Sequence, residues 1–314
     1  MNLPSEADIR AAHSRIGKFI HRTPVMTSRQ INSILGCELW FKCENFQKVG
    51  AFKFRGATNA VMLLDEKQKT KGVVTHSSGN HAAALALAAS MNGVTSYIVM
   101  PENAPEVKKR AVAGYGAEIT FCEPTLKARE ETCRRIMDEK GAVLIHPYDN
   151  FNVICGQGTA ALELIEEAGV PDIIVAPIGG GGLMSGTSTI AKAVKPGIKV
   201  IGAEPLNAND AWLSLKSGHI IPSVNPKTVA DGLLTSLSQL TFSVIKRNVD
   251  QILTAREETI IEAMLLVWER MKIIIEPSSA TVVAVIMENP GIFRNKKAGL
   301  IISGGNVDFR KLPF

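Results

Sequence analysis

The sequence predicts an α/β protein built as two doubly wound open sheets, with a ligand site in the cleft between them. From Gly72 onward, short β-branched runs alternate with longer helical segments, the pattern of a parallel sheet covered on both faces. The alternation pauses near 148 and resumes, which divides the chain into a small domain over 72–148 and a discontinuous large domain over 1–71 and 149–314. Three strands end in polar, glycine-bearing turns, at Ser78, Gly179 and Ser303. Ligands of open parallel sheets bind outside the carboxyl ends of strands, so the three turns can converge on one crevice.

Ser5 and Asp8 make a variant capping box, and Ile9, Ala12, Ile16 and Phe19 recur at helical spacing, so the chain opens with an amphipathic helix. Thr23-Pro24-Val25 lies beyond its end, 38–42 reads as a strand, and a helix runs from Lys53 through Ala57 to Leu64. The small domain takes strands at 73–75, 97–100, 117–121 and 142–145, with helices at 82–91, 105–114 and 126–140. The large domain resumes with helix 157–168, strand 172–176, helix 185–194 and strand 199–203. A Pro- and Ser-rich connection over 222–238 leads to helices 258–272 and 278–287 and a last strand, 299–303. No internal repeat or low-complexity tract interrupts this order.

With 46% hydrophobic and 21% charged residues over 314 positions, the chain has ordinary globular usage and enough length for a large core. The net charge of +5 is scattered, its longest basic run being Lys108-Lys109-Arg110, which favours a small anionic ligand over nucleic acid. Cys37, Cys43, Cys122, Cys133 and Cys155 form no C-x-x-C pair. Reduced thiols in the cytoplasm fit better than a disulfide framework or a zinc cluster. The N-terminus lacks a basic segment followed by an apolar run, and no apolar stretch reaches membrane-spanning length, so neither secretion nor a membrane is expected.

Lys53 sits between Phe52 and Phe54 and is closed in by Gly50 and Gly56. Those neighbours suit an amine kept dry, with a lowered pKa and nucleophilic character, although a lysine whose ammonium reaches water fits the same residues. The stretch 75–81 leaves a strand and opens an alanine-rich helix, a junction that favours an anion such as a substrate carboxylate. Gly179, Gly180, Gly181 and Gly182, followed by Leu183, again join a strand to a helix, and such a loop lets several N–H groups approach a phosphate. It does not match the G-x-x-x-x-G-K-[ST] pattern, and as a dinucleotide turn it lacks a well-placed ribose acid, since Glu204 is followed by Pro205. The 204–210 loop carries Glu204, Asp210 and free carbonyls, a hard-oxygen set open to Mg²⁺ or Ca²⁺ as well as to plain solvation.

Together these stretches resemble the fold-type II pyridoxal-phosphate enzymes, specifically the serine racemase and serine/threonine dehydratase family with its tryptophan synthase β-like fold. The similarity runs from Thr23-Pro24 to Ser303-Gly304-Gly305-Asn306. Within the family, 41–44, 268–272, 275–277 and 303–308 are closest to eukaryotic-type serine racemase. The resemblance implies that Lys53 holds pyridoxal 5'-phosphate and takes the substrate α-proton from one face, with Ser78 as the acid/base on the other. It implies Phe52 against the ring, Asn80 on its 3'-oxygen, Ser303 on its nitrogen, and the 179–183 turn around its phosphate. Gly232 and Glu276 match positions lining the cofactor pocket. Ser77, Asn80, His81 and Arg129 match those that hold the substrate carboxylate. Glu204, the Ala208 carbonyl and Asp210 match the family's divalent-cation site, for Mg²⁺, Ca²⁺ or Mn²⁺.

Lys48, Lys272 and Asn306 match contacts of an activating ATP at a subunit interface, while Val49 departs from the polar threonine expected there. The implied assembly is a homodimer acting on a small amino acid. The implied reaction is interconversion of L- and D-serine with β-elimination of serine or threonine as a side reaction. A dedicated serine/threonine or 3-hydroxyaspartate dehydratase is the alternative. A nicotinamide dehydrogenase offers no role for Lys53, and a non-catalytic cofactor-binding protein gives no reason to keep Lys53, Ser78 and the carboxylate loop together.

Overall fold

The computed structural model describes residues 2–77, 79–104 and 106–312. The first elements are α1 (Glu6–Ile16), β1 (Val25–Met26), α2 (Arg29–Leu35), β2 (Glu38–Cys43), α3 (Lys53–Met62) and α4 (Glu66–Lys71). Next come β3 (Val73–His76), α5 (Asn80–Met91), β4 (Ser96–Pro101), α6 (Glu106–Gly114), β5 (Glu118–Cys122), α7 (Leu126–Lys140) and β6 (Val143–Leu144). The chain continues through α8 (Phe151–Ala168), β7 (Ile173–Pro177), α9 (Gly182–Val194), β8 (Lys199–Pro205) and α10 (Asp210–Ser217). It closes with α11 (Gln239–Asn248), β9 (Gln251–Ala255), α12 (Glu257–Met271), α13 (Pro277–Glu288), α14 (Pro290–Phe293) and β10 (Lys297–Ile302). Among the described residues no helix is long and apolar enough to cross a membrane.

Two sheets result, as the alternation requires. The larger has the order β1-β2-β10-β7-β8-β9, parallel except for β1, and the smaller has the order β5-β4-β3-β6, parallel throughout. Strand residues alternate faces, so Ile173 and Val175 join one apolar cluster with α12 and α13, while Ile174 and Ala176 join another with α8 and α9. That division of one strand between two clusters is double winding seen in side chains.

The capping box at Ser5 and Asp8 is present, and Ile9, Ala12 and Ile16 are the buried face of α1, whereas Phe19 lies past its end. Other boundaries differ. Helix α8 begins six residues before the expected 157, because Asn150 caps it by accepting from the Val153 N–H. The 204–210 stretch is not an open loop but a short turn running into α10, whose first residue is Asp210. Helices α2 and α11 and strand β9 fill stretches in which the pattern predicted no element.

The two sheets meet across α3. Its Phe54, Ala57, Ala60 and Val61 share one apolar cluster with Leu85 and Ala86 of α5 and Val153 of α8. The crossing of α3 and α8 is close, since a Cβ on Gly156 would lie 2.5 Å from the Arg55 carbonyl oxygen. Lys53, at the first position of α3, therefore stands where both sheets contribute walls.

Candidate active site

The Lys53 ammonium is half-buried, donates to the Pro147 carbonyl at 2.9 Å and lies 5.1 Å from the centre of the Phe52 ring. Removal from water favours the neutral amine and holds its pKa down to about 8, against a smaller upward pull from Glu276. The backbone fixes what faces it. The Phe52 N–H donates to the Ser303 carbonyl at 2.9 Å, and Ala51 bridges Gly304, so the lysine segment is tied to the end of β10.

Glu276 precedes α13 and is buried, with its pKa pushed up to about 7 by burial and then by the charge of Asp231. Its carboxyl accepts from Asn80 Nδ2 at 3.1 and 3.2 Å and from the Asn306 N–H at 3.2 Å. Asn306 Nδ2 in turn donates to Asn80 Oδ1 at 2.9 Å, which orients the Asn80 amide. Gly232 belongs to the same wall, its N–H donating to Ser278 Oγ at 3.0 Å. Ser303 is buried, and its hydroxyl contacts that of Ser279 at 3.0 Å.

The turn from Gly179 to Gly182 joins β7 to α9, whose second residue is the buried Leu183. Helix-start N–H groups lack acceptors within the helix and are available to an anion. Gly181 takes φ 86°, which a side chain adopts poorly, and a Cβ on Gly180 would come within 2.2 Å of the Tyr148 ring. This cradle exists because the glycines leave the space. A phosphate fits it, and a buried amine beside it fits the aldehyde end of the same small molecule.

Ser77 follows the end of β3 and Gly79 precedes α5, while Ser78 lies outside the described residues. His81 donates from Nε2 to the Ile145 carbonyl at 2.9 Å, while its Nδ1 is buried without a partner. Burial, then the Lys53 charge, hold its pKa down to about 3, so the ring is neutral and offers a substrate carboxylate no donor. Only the His81 main-chain N–H, in the first turn of α5, can serve there. Arg129, on α7, stands near enough to His76 to help keep that imidazole neutral, after burial.

Glu204 is buried and accepts from the Ala211 and Trp212 N–H groups at 3.0 and 2.7 Å. Asp210 is also buried, with neither carboxylate oxygen hydrogen-bonded, and Ala208 adjoins it. Burial raises the pKa of Glu204 well above its ordinary value and that of Asp210 to about 6. Two buried carboxyls, of which Asp210 has both oxygens orphaned, fit a divalent cation that supplies the missing charge. No cluster of three or more His, Cys, Asp or Glu suited to a metal occurs among the described residues, so carbonyls must complete such a site.

Sequence reasoning missed Pro147, His146, Tyr148 and Ser279. The His146 and Tyr148 rings meet edge to face at 4.6 Å, and the His146 pKa is held down to about 4, chiefly by burial. The signal was available: 146–149 follows β6 at a strand's carboxyl end, the place already marked for ligands in three other strands.

Comparison with known proteins agrees with this geometry. Residues 16–304 match the family described as pyridoxal-phosphate dependent enzyme. The chain is 53% identical to the serine racemase of Dictyostelium discoideum over 311 residues, 97% of this chain and 95% of that one. It is 50% identical to the beta-hydroxyaspartate dehydratase of Paracoccus denitrificans over 314 residues, with both chains fully covered. The structure of maize serine racemase superimposes with a TM-score of 0.96 at 44% identity, covering 98% of this chain and 95% of that one.

Proposed function

The chain belongs to the pyridoxal-phosphate dependent enzyme family, and from that premise we propose that it interconverts L- and D-serine and eliminates the β-hydroxyl of serine or threonine as a side reaction. The observation that carries the reading is the Lys53 amine at the junction of both sheets, held at 2.9 Å by the Pro147 carbonyl next to Tyr148, whose ring borders the glycine cradle. When bound, pyridoxal phosphate supplies the sink for the electron pair left at the substrate α-carbon. The protein supplies the rest.

Lys53 would hold the cofactor and would serve as the base for the α-proton on its own face, its amine brought toward neutral pH by burial. Ser78, assigned by resemblance, returns a proton on the opposite face. Phe52 would pack against the ring, Asn80 would bond the 3'-oxygen and Ser303 would meet the ring nitrogen, as the resemblance assigns. Gly179 to Leu183 hold the phosphate, with Gly232 and Glu276 completing the wall. Ser77, Asn80, the His81 N–H and Arg129 hold the substrate carboxylate, with Arg129 closing down from the small domain over 72–148. Glu204, Asp210 and the Ala208 carbonyl hold Mg²⁺ or a similar cation.

Three finer features extend the reading. A cavity of about 610 Å³, lined in part by Val49, Asn80, Lys108, Tyr115 and Asn306, supports the reading of an ATP activator through Asn306, although neither Lys48 nor Lys272 lines it. Exposed Phe46, Ile274 and Phe309 support a homodimer, as apolar surface that a second copy would cover. The five buried free cysteines support a reducing compartment such as the cytoplasm.

The second reading, a dehydratase for 3-hydroxyaspartate, is favoured by the full-length match to the Paracoccus enzyme. One assay separates them: purified enzyme, with and without Mg²⁺ and ATP, is given L-serine, L-threonine or 3-hydroxyaspartate, and the amino-acid enantiomers and 2-oxo acid are quantified. Wild type is expected to form D-serine and pyruvate. Lys53→Ala should form neither, and Ser78→Ala should lose D-serine by about 10²-fold or more while retaining pyruvate. Formation of 2-oxo acid alone by wild type establishes the dehydratase, and D-serine made by Ser78→Ala removes the two-base assignment. Sedimentation as a monomer removes the dimer, and rates indifferent to ATP remove the activator.

A further inference from the structure

Ser279 occupies the third position of α13, wholly buried, behind Ser303. Its hydroxyl donates to the Gly304 carbonyl at 2.7 Å and accepts from the Gly304 N–H at 2.7 Å. A serine hydroxyl has one proton and two lone pairs. With its proton on Gly304, Ser279 meets Ser303 only as an acceptor, so at their 3.0 Å contact Ser303 is the donor. Ser303 then presents a lone pair, not a proton, to whatever lies in front of it.

A second arrangement costs little. If Ser279 turns its proton to Ser303, the Gly304 carbonyl keeps a donor, because the Glu276 N–H also bonds it at 3.0 Å. Ser303 then accepts from Ser279 and has its own proton free to donate. The two hydroxyls are a pair whose hydrogen bonds reverse together, and in neither direction do Ser279 or the Gly304 carbonyl lose their partners.

We propose that Ser279 is a positioning residue that lets Ser303 switch between donor and acceptor, and so stabilises the protonated as well as the neutral ring nitrogen of the bound cofactor. The proposal rests on the cofactor reading above. Without Ser279, Ser303 facing a protonated nitrogen has its own proton buried and unpaired, so only the neutral nitrogen is well served. The electron sink is therefore adjustable through a residue that never touches the cofactor.

The test uses holoenzyme reconstituted with pyridoxal phosphate carrying ¹⁵N in the ring, whose resonance reports nitrogen protonation. In Ser279→Ala the resonance should move toward the neutral-pyridine position, with proton binding at the nitrogen weakened about three- to tenfold, the effect of one buried hydrogen bond. Ser279→Cys, which keeps the volume but accepts poorly, should move it the same way and answers the question if the alanine variant does not fold. In a Ser303→Ala background, Ser279→Ala should add nothing. An unchanged resonance in both Ser279 variants, or a shift that persists without Ser303, overturns the proposal. Failure of wild type to bind pyridoxal phosphate overturns the cofactor reading instead, and dissociation constants measured for each protein tell the two failures apart.

Discussion

The charge of Lys53 is set by two opposing influences of unequal size, and a single substitution separates them. Burial lowers its pKa to about 8, and the Glu276 carboxylate pulls it back up. Glu276→Gln removes only the second influence, so the Lys53 midpoint should fall below about 8, as read from the ¹³C resonance of reductively methylated cofactor-free protein. An unmoved midpoint would mean the two groups do not sense each other. The same substitution has a stability signature. Glu276 goes from an ordinary 4.5 to about 7 on folding, so the folded state binds the extra proton between those values. Its contribution is therefore present at low pH and lost as pH rises through about 7, and Glu276→Gln should flatten that decline. Lys53, Asn80 and Ser303 were legible because each lies in a short motif whose composition fits one chemistry. Ser279 was not, because its meaning lies in a hydroxyl 24 positions away in sequence, and Pro147 acts through a carbonyl that any residue carries.

At the scale of elements, alternation revealed the strands and helices of the parallel sheets but not the pieces that close them. Helix α11 is capped by Ser238 and Thr241 in a reciprocal pair, yet its threonine at the third position is an unusual partner for such a box. Nor did spacing reveal the ion cluster that anchors α3. Arg55, fully buried two residues after Lys53, pairs with Glu44 and Glu163 at 2.7 Å each, and Lys42 joins Glu163 at 2.7 Å. Removing one member leaves a buried charge uncompensated, which costs about 3 to 5 kcal/mol. Glu204 and Asp210 are the opposite case: two carboxyls placed together, with no salt bridge to either among the described residues. With Mg²⁺ at about a hundred times its dissociation constant, wild type should gain about 2.7 kcal/mol of stability, seen as a raised melting temperature. Asp210→Asn should abolish that gain while melting no lower than wild type without metal. An equal Mg²⁺ response in the variant would move the cation elsewhere.

At the scale of the whole molecule, the division at residue 72 read from the sequence meets a core that does not divide there. The small sheet has two faces with different allegiances. On one, Val74, Val99 and Cys122 pack with Cys133 and Ile136 of α7 in a cluster confined to 74–144. On the other, Leu85 and Ala86 of α5 share their cluster with Ile16 of α1, Phe54 of α3 and Val153 of α8. Burial along the strands differs in the same sense: all five residues of β7 are buried, whereas four of the five in β5 are not. Opening of the small domain is therefore expected to expose α7, β5 and β6 first, while α5 stays with the large sheet. The Lys108–Asp231 bridge at 2.8 Å is partly exposed, and a pair of that kind adds at most about 1 kcal/mol against such opening. Native-state hydrogen exchange along a urea series measures this directly. Amides of α7 and β5 should exchange through an opening of lower free energy than those of β7 and β8, with α5 tracking the latter. If α5 exchanges with α7 and β5 instead, residues 72–148 move as the single body that the sequence alone suggested, and the substrate carboxylate is then grasped by a helix start that travels, not by one that stays.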